Sequence, residues 1–300
     1  MNIFDFYKQH STITDPGEYA YLFDDVPADC EKIKEILWWL ILHFVDILLG
    51  EVHVSTDKLI EIETRYVNDM LKIIISRDKS SLLVFRPPEK RLVGSCRDYA
   101  VLFCSILRHH GVPARTRTAF NTYYFKGRYH DGIIVEYWNK NLNRWCFIDP
   151  RTTESLIKKQ QMSIDFDLLD VPSDKLIVAG LAWQMARKDP SLADRFCSMP
   201  MDKNRGFWYI RDKLIQDVAS LNNVEMLLWD GWGLMLKDHD FMNDYEQVEF
   251  LDYLADLTVD PNNNLEEIKH IYKTDMVLTV PKKIISYGII HNGKEIEINI

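Results

Sequence analysis

Cys96 stands two residues after Gly94 in the stretch VGSCRDYAVLFCSILRHHGVPARTR, Val93–Arg117, and opens a run with helical periodicity. Cys96, Tyr99, Ala100, Phe103 and Leu107 share one face, Leu102 and Ile106 thicken it, and Gly111 with Pro113 ends the run. The spacing predicts a helix over about 95–110 with the thiol in its first turn. There, unpaired amide N–H groups and the positive end of the helix dipole favour the thiolate. The same amides could hold an oxyanion, and Gly94 would let a substrate approach the backbone closely. A nucleophilic thiolate also needs a base within hydrogen-bond reach and a third group to orient that base. Downstream, RYHDGIIVEYWNKNLNRWCFIDPR reads as a hairpin in which His130 opens one strand and Asp149 closes the next. Facing strands would bring these two near each other as base and orienter. His109 and His110 are poorer bases: they lie about four turns along the same helix, ~20 Å from Cys96 at 1.5 Å per residue. They read as surface residues favourable to the helix C-terminus.

The run GSCRDYAVLFCSILRHHGVPAR, followed by a His-bearing strand and then RWCFIDPR, resembles the transglutaminase-like superfamily over about Arg91–Arg151. The resemblance implies a papain-like fold with a Cys–His–Asp triad in that chain order, Cys96 as nucleophile and Asp149 as orienting carboxylate. A second block, FWYIRDKLIQDVASLNNVEMLLWDGWGLM, Phe207–Met235, resembles the C-terminal part of a bacterial subgroup of these proteins with no established reaction. In the family pattern the histidine stands four residues before the acidic residue of its strand. That acidic residue is Glu136, and the matching position is Gly132. His130 shares the strand parity but lies two residues early, ~6.6 Å along an ideal strand. A bulge around His130–Gly132 would be needed to re-aim it.

Other polar residues carry two readings. Arg97 and Asp98 could touch a substrate, and a surface-facing first helical turn explains them equally. Trp229, Asp230 and Trp232 with Arg211 could line a small-ligand pocket, although an aromatic core with buried ion pairs is the favoured reading. Cys30, Cys104, Cys146 and Cys197 read as small buried hydrophobes.

The composition fits a globular α+β protein. With 47% hydrophobic and 12% aromatic residues and no low-complexity tract, 300 residues can bury a substantial core. The formal charge of −9 argues against binding to nucleic acid or to an anionic membrane. Five cysteines without CxxC spacing, and no signal peptide before them, support neither a disulfide framework nor a metal site, and imply a reducing cytoplasm. The apolar run ILWWLILHFVDILLG, Ile36–Gly50, is too short to span a membrane and carries His43 and Asp46, so it reads as a helix buried all round.

Four regions are expected within one compact unit. They are an N-terminal helical region over 1–90, with long helical segments at Cys30–Leu49 and Thr56–Ser76, a transglutaminase-like core over 91–155, a helical region over 156–275 and a β-hairpin over 276–300. In the core a helix packs on an antiparallel sheet built from ARTRTAF, TYYF, IIVEYW and RWCFID. Asn292-Gly293 signals a type I′ turn in the last hairpin.

Two functions follow. The first is acyl transfer or amide hydrolysis through a thioester on Cys96, acting on a protein, peptide or small molecule that bears an acyl or carboxamide group, with no cofactor and no metal. The second is a catalytically silent binding module that keeps the fold, because Gly132 occupies the family's histidine position.

Overall fold

A computed structural model describes residues 2–199 and 203–300. The chain divides into two compact units whose boundaries cut across the regions expected from sequence. One comprises Met1–Arg115, Ile134–Lys159 and Asp167–Asp170; the other comprises Thr116–Ile133, Gln160–Phe166 and Val171–Ile300.

The first unit begins with α1 (Ile3–Lys8) and α2 (Cys30–Leu40), each started by a side chain that accepts a first-turn amide: Asn2 from Asp5 and Asp29 from Lys32. The single helix expected to continue to Leu49 is interrupted. Ile41–His43 forms a strand, β1, and a short helix, α3 (Phe44–Leu48), follows. The cause is a partner distant in sequence: β1 pairs in parallel with β2 (Leu92–Gly94), in the register Ile41–Leu92, Leu42–Val93 and His43–Gly94. His43 Nδ1 then accepts the Val45 N–H at 3.3 Å and caps α3. The second long segment is also divided, into a 3-10 helix (Thr56–Glu63) and α4 (Val67–Arg77). At the break the buried Arg65 folds back onto the Glu63 carbonyl at 2.9 Å. Among the described residues, no helix is long and apolar enough to cross a membrane.

The centre of this unit is α5 (Cys96–His109), which packs against α1, α2, α4 and the β1–β2 pair. It is buried on every side, so its polar residues must find partners inside. Tyr99 donates to the Ile41 carbonyl at 2.9 Å, Ser105 to the Thr14 carbonyl at 2.7 Å, and Arg108 to the carbonyl of Ala114 at 2.9 Å. Ala114 opens β3 (Ala114–Asn121), which precedes β4 (Tyr129–Asn139) and β5 (Arg144–Ile148). The fold is α+β with an antiparallel sheet, consistent with a transglutaminase-like core. β4 and β5 pair from Val135–Ile148 to Asn139–Arg144, and α6 (Glu154–Gln160) follows β5. TYYF is not a strand. The Asn121 side chain turns the chain there, accepting the Tyr124 N–H at 3.3 Å and donating to the His130 carbonyl at 2.9 Å.

The second unit contains β6 (Leu176–Val178), α7 (Ala179–Lys188), β7 (Phe196–Cys197), α8 (Phe207–Leu221), β8 (Asp230–Gly231), α9 (Tyr245–Val259), α10 (Pro261–Thr274), β9 (Lys283–Ser286) and β10 (Lys294–Glu297). The helical character expected over 156–275 is present in α7–α10, which pack on one another, but β6, β7 and β8 punctuate it. Residues 200–202, within that expected region, lie outside the described residues. β6 pairs antiparallel with the end of β3, and β7 pairs in parallel with the start of β4. The expected terminal hairpin is β9–β10, and both Asn292 (φ 49°) and Gly293 (φ 81°) adopt the left-handed conformation. The strands nevertheless stop at Ser286 and Lys294, so the connection is longer than a two-residue turn. β9 also pairs with β8 on its other side, which makes a three-stranded sheet.

On α8, Arg211 Nε donates to Asp212 Oδ1 at 2.9 Å, yet burial raises the Asp212 carboxyl to about 7. A carboxyl whose folded pKa exceeds its unfolded value contributes stability that is complete below about pH 4. That contribution is lost as pH rises towards 7. Urea unfolding should therefore show wild type losing on the order of 1–3 kcal/mol more than Asp212→Asn between about pH 4 and 7. Parallel pH profiles for the two proteins would contradict this.

Candidate functional site

Cys96 is the first residue of α5 and is partly exposed. The turn before it is fixed from below by Asp98, whose Oδ2 accepts the Ser95 N–H at 2.6 Å and the Ser95 hydroxyl at 3.1 Å. Arg97 donates to Asp98 Oδ1 at 3.1 Å and to the Arg65 carbonyl at 2.6 Å. This corrects the expectation of a surface-facing turn. Arg97 is 0% and Asp98 1% exposed, so both hold the helix start from within the core rather than facing outward to a substrate. Burial raises the Asp98 carboxyl, and Arg97 opposes that rise. The signal was available in the sequence as the Ser95-x-x-Asp98 capping-box spacing.

Gly94 also has an internal reason for its identity. A Cβ there would lie 2.9 Å from Asp98 Oδ2 and 3.1 Å from Ile41 Cγ2, so the close approach is made by the protein's own side chains. The strand that carries Gly94 is anchored on Glu61, whose Oε2 accepts the Val93 N–H at 3.0 Å and Arg77 Nη1 at 3.0 Å.

Asp149 follows β5 and is 6% exposed. Its Oδ1 accepts the amides of Arg151 (3.0 Å) and Thr152 (3.2 Å), and its Oδ2 accepts the Thr152 hydroxyl at 2.6 Å. Sequence reasoning missed its neighbour Lys34. This lysine on the buried face of α2 is 5% exposed, and its Nζ has no hydrogen-bond partner among the described residues. Burial lowers Lys34 to about 8, with Asp149 the foremost charge opposing the fall. The signal was a lysine set among Ile33, Ile36 and Leu37. Of the other cysteines, Cys104, Cys146 and Cys197 are buried and Cys30 partly so. Burial pushes the thiols of both Cys30 and Cys146 up to about 12.

His130 lies in the second unit, near the start of β4, where it pairs with Cys197 of β7. The β4–β5 ladder runs from Val135–Ile148 to Asn139–Arg144 and includes neither His130 nor Asp149. The imidazole packs against the rings of Tyr124 (5.7 Å between centroids) and Phe125 (5.4 Å). Its Nδ1 stands 4.0 Å from Asp131 Oδ1. Gly132, two residues on, is buried.

Trp229, Asp230, Trp232 and Arg211 belong to the second unit, where the last three are buried and Trp229 is partly exposed. Trp232 is 0% exposed and donates to the Leu278 carbonyl at 2.9 Å. Asp230 lies in β8, 1% exposed, and accepts the Leu227 N–H at 3.2 Å. The Trp229 carbonyl accepts the Tyr287 N–H at 2.8 Å. Arg211 lies over the Phe241 ring at 4.8 Å and donates to the Asp238 carbonyl at 2.8 Å. Trp232, Asp230 and Arg211 thus spend side-chain polar groups on partners inside the second unit. Among the described residues, no group of three or more His, Cys, Asp or Glu is arranged to hold a metal ion.

Residues 61–150 match the family model for the transglutaminase-like superfamily. That segment, from the 3-10 helix before α4 through the end of β5, is transglutaminase-like, and it contains Cys96, His130 and Asp149. No curated protein and no solved structure matches the chain.

Gly94→Ala should lower stability by about 1–3 kcal/mol in urea unfolding, because the added methyl must displace either the Asp98 carboxylate or Ile41 in a packed interior. A loss under about 0.5 kcal/mol, the range of an ordinary surface change, would contradict the packing described.

Proposed function

We propose that the protein catalyses acyl transfer or amide hydrolysis through a thioester on Cys96. The observation that carries this is Cys96 itself: a partly exposed thiol at the first position of a fourteen-residue helix, within a transglutaminase-like segment. The elevated thiols of Cys30 and Cys146 make those two poor competitors.

In the proposed reaction the Cys96 thiolate attacks the carbonyl carbon of a carboxamide or other acyl group, and α5 amides receive the developing oxyanion. His130, having taken the thiol proton, gives it to the departing amine or ammonia as the C–N bond breaks. An amine or water then attacks the thioester, His130 takes the proton of that nucleophile, and the thiol is released. The family resemblance gives Asp149 the role of orienting the imidazole. The acyl donor is a protein, peptide or small molecule. A net charge of −9 supports neither nucleic acid nor an anionic membrane as partner, and five free thiols support a reducing, cytoplasmic setting.

A second reading, a silent binding module on the same fold, is favoured by one observation. Gly132 stands at the family's histidine position, and His130 is paired with Cys197 rather than with the strand that leads to Asp149.

Iodoacetamide alkylation followed by peptide mapping separates the two. Cys96 should label fastest at neutral pH, and Cys96→Ala should remove that label with folding intact. His130→Ala should shift the rate profile upward, towards the free-thiol value of ~8.5. Gly132→His should change little if His130 already serves, and should create a new base if it does not. Superimposable wild-type and His130→Ala profiles would favour the binding module.

A further inference from the structure

The strand that carries His130 also carries a carboxylate that the proposed triad does not use. Asp131, the next residue, directs one of its carboxylate oxygens to α8. It is 6% exposed. Its Oδ2 accepts the Tyr209 hydroxyl at 2.7 Å and lies 3.3 Å from Lys213 Nζ. Lys213 is itself fixed, donating to Gln216 Oε1 at 3.0 Å and to the Leu228 carbonyl at 2.8 Å, with its ammonium 4.9 Å over the Tyr209 ring. Both braces therefore act on Oδ2. The other oxygen, Oδ1, is the one 4.0 Å from His130 Nδ1. The far side of the histidine is held as well, because Asn121 Nδ2 donates to its carbonyl at 2.9 Å and β7 pairs with its backbone.

We propose that Asp131, braced by Tyr209 and Lys213, takes the place of Asp149 as the positioning residue for the His130 imidazole, its Oδ1 favouring a proton on Nδ1 and leaving Nε2 as the basic nitrogen. The separation of 4.0 Å exceeds a hydrogen bond and is that of a charge contact, which tightens when the ring becomes an imidazolium. Other titratable groups around the ring are Cys197 on β7 and Tyr124 in the preceding turn, with Tyr209 and Lys213 behind Asp131. Ordinary thiols and phenols are neutral near pH 7, so among these groups Asp131 and Lys213 carry the charge. Lys213 stands on the Oδ2 side, so the carboxylate is the nearer charge to the ring and favours the imidazolium. This assignment depends on His130 as the base of the proposed reaction for its catalytic meaning. Its effect on the ring is tested without any activity.

The test is ¹⁵N NMR titration of the histidines in the full chain, with His130→Ala identifying the resonance among nine histidines. In wild type the neutral His130 ring should carry its proton on Nδ1. Asp131→Asn, which keeps the shape and removes the charge, should lower the His130 midpoint by about one pH unit, the effect of losing a partly screened opposite charge at this range. Asp149→Asn should move it by less. An Nε2-protonated neutral ring in wild type overturns the proposal. So does an unchanged midpoint in Asp131→Asn, or a larger shift in Asp149→Asn. Should Asp131→Asn fail to fold, the wild-type tautomer decides alone. Failure of the enzymatic reading appears elsewhere, as Cys96 alkylation indifferent to His130→Ala, and leaves the NMR result to judge Asp131.

Discussion

The carboxylate of Asp98 is the constraint on which the presentation of Cys96 depends. A charge 1% exposed to solvent is costly unless its oxygens are occupied, and here Ser95 and Arg97 occupy them. Each contact fixes something further out. The Ser95 amide sets the turn into α5, and so the direction in which the first-turn N–H groups point. Arg97 carries the connection to the Arg65 carbonyl, just before α4. Gly94 completes the arrangement because only its bare Cα fits between Asp98 and Ile41. Removing one partner from such a buried pair leaves an uncompensated charge, a change that typically costs about 3–5 kcal/mol. The helix start is therefore held by polar contacts as well as by the apolar packing of α5.

The second unit solves a similar problem with Asp217. This residue of α8 is 0% exposed, and its Oδ1 accepts Arg117 Nε at 3.0 Å and the Thr118 N–H at 2.8 Å. Its Oδ2 accepts Arg117 Nη2 at 2.8 Å, and the same nitrogen reaches the Thr258 carbonyl at 2.7 Å. α8 thus grips β3 through Asp217 and β4 through Tyr209 and Lys213. Two strands that could slide on apolar contacts alone are pinned at named residues, because a one-residue slip would strand buried charges. His130 sits on the second of those strands, so its position is set by α8 as much as by its own sequence neighbourhood.

Local signals were legible, and distant partners were not. The extent of α5 follows from the spacing of Tyr99, Ala100, Phe103 and Leu107 and from Gly111, and the structure ends the helix at His109. Strands β3, β4 and β5 follow from β-branched and aromatic runs. The helix expected across Ile41–His43 fails because its strand partner, Leu92–Gly94, lies some fifty residues away, and apolar content alone cannot tell a buried strand from a buried helix. TYYF looked like a strand because its residues favour one, but Asn121 spends its side chain on closing a turn. At the candidate site, Cys96 was legible from Gly-x-Cys at a helix start. Asp98 lies inside although a charged residue in a first turn usually faces water, because Ser95 and Arg97 occupy its oxygens. Asp131 and Lys34 escaped because their partners, Tyr209 and Lys213 for the one and Asp149 for the other, are brought together only by folding.

Acylation of the free thiols tests the central claim, that Cys96 is the nucleophile, most directly. The intact protein is treated at neutral pH with a substoichiometric activated acyl donor, and the thioester is located by mass spectrometry of peptides prepared under mildly acidic conditions. The account predicts a single acyl adduct on Cys96, lost on adding hydroxylamine and absent from Cys96→Ala. An adduct spread over Cys30, Cys104, Cys146 and Cys197, or one that spares Cys96, would contradict it.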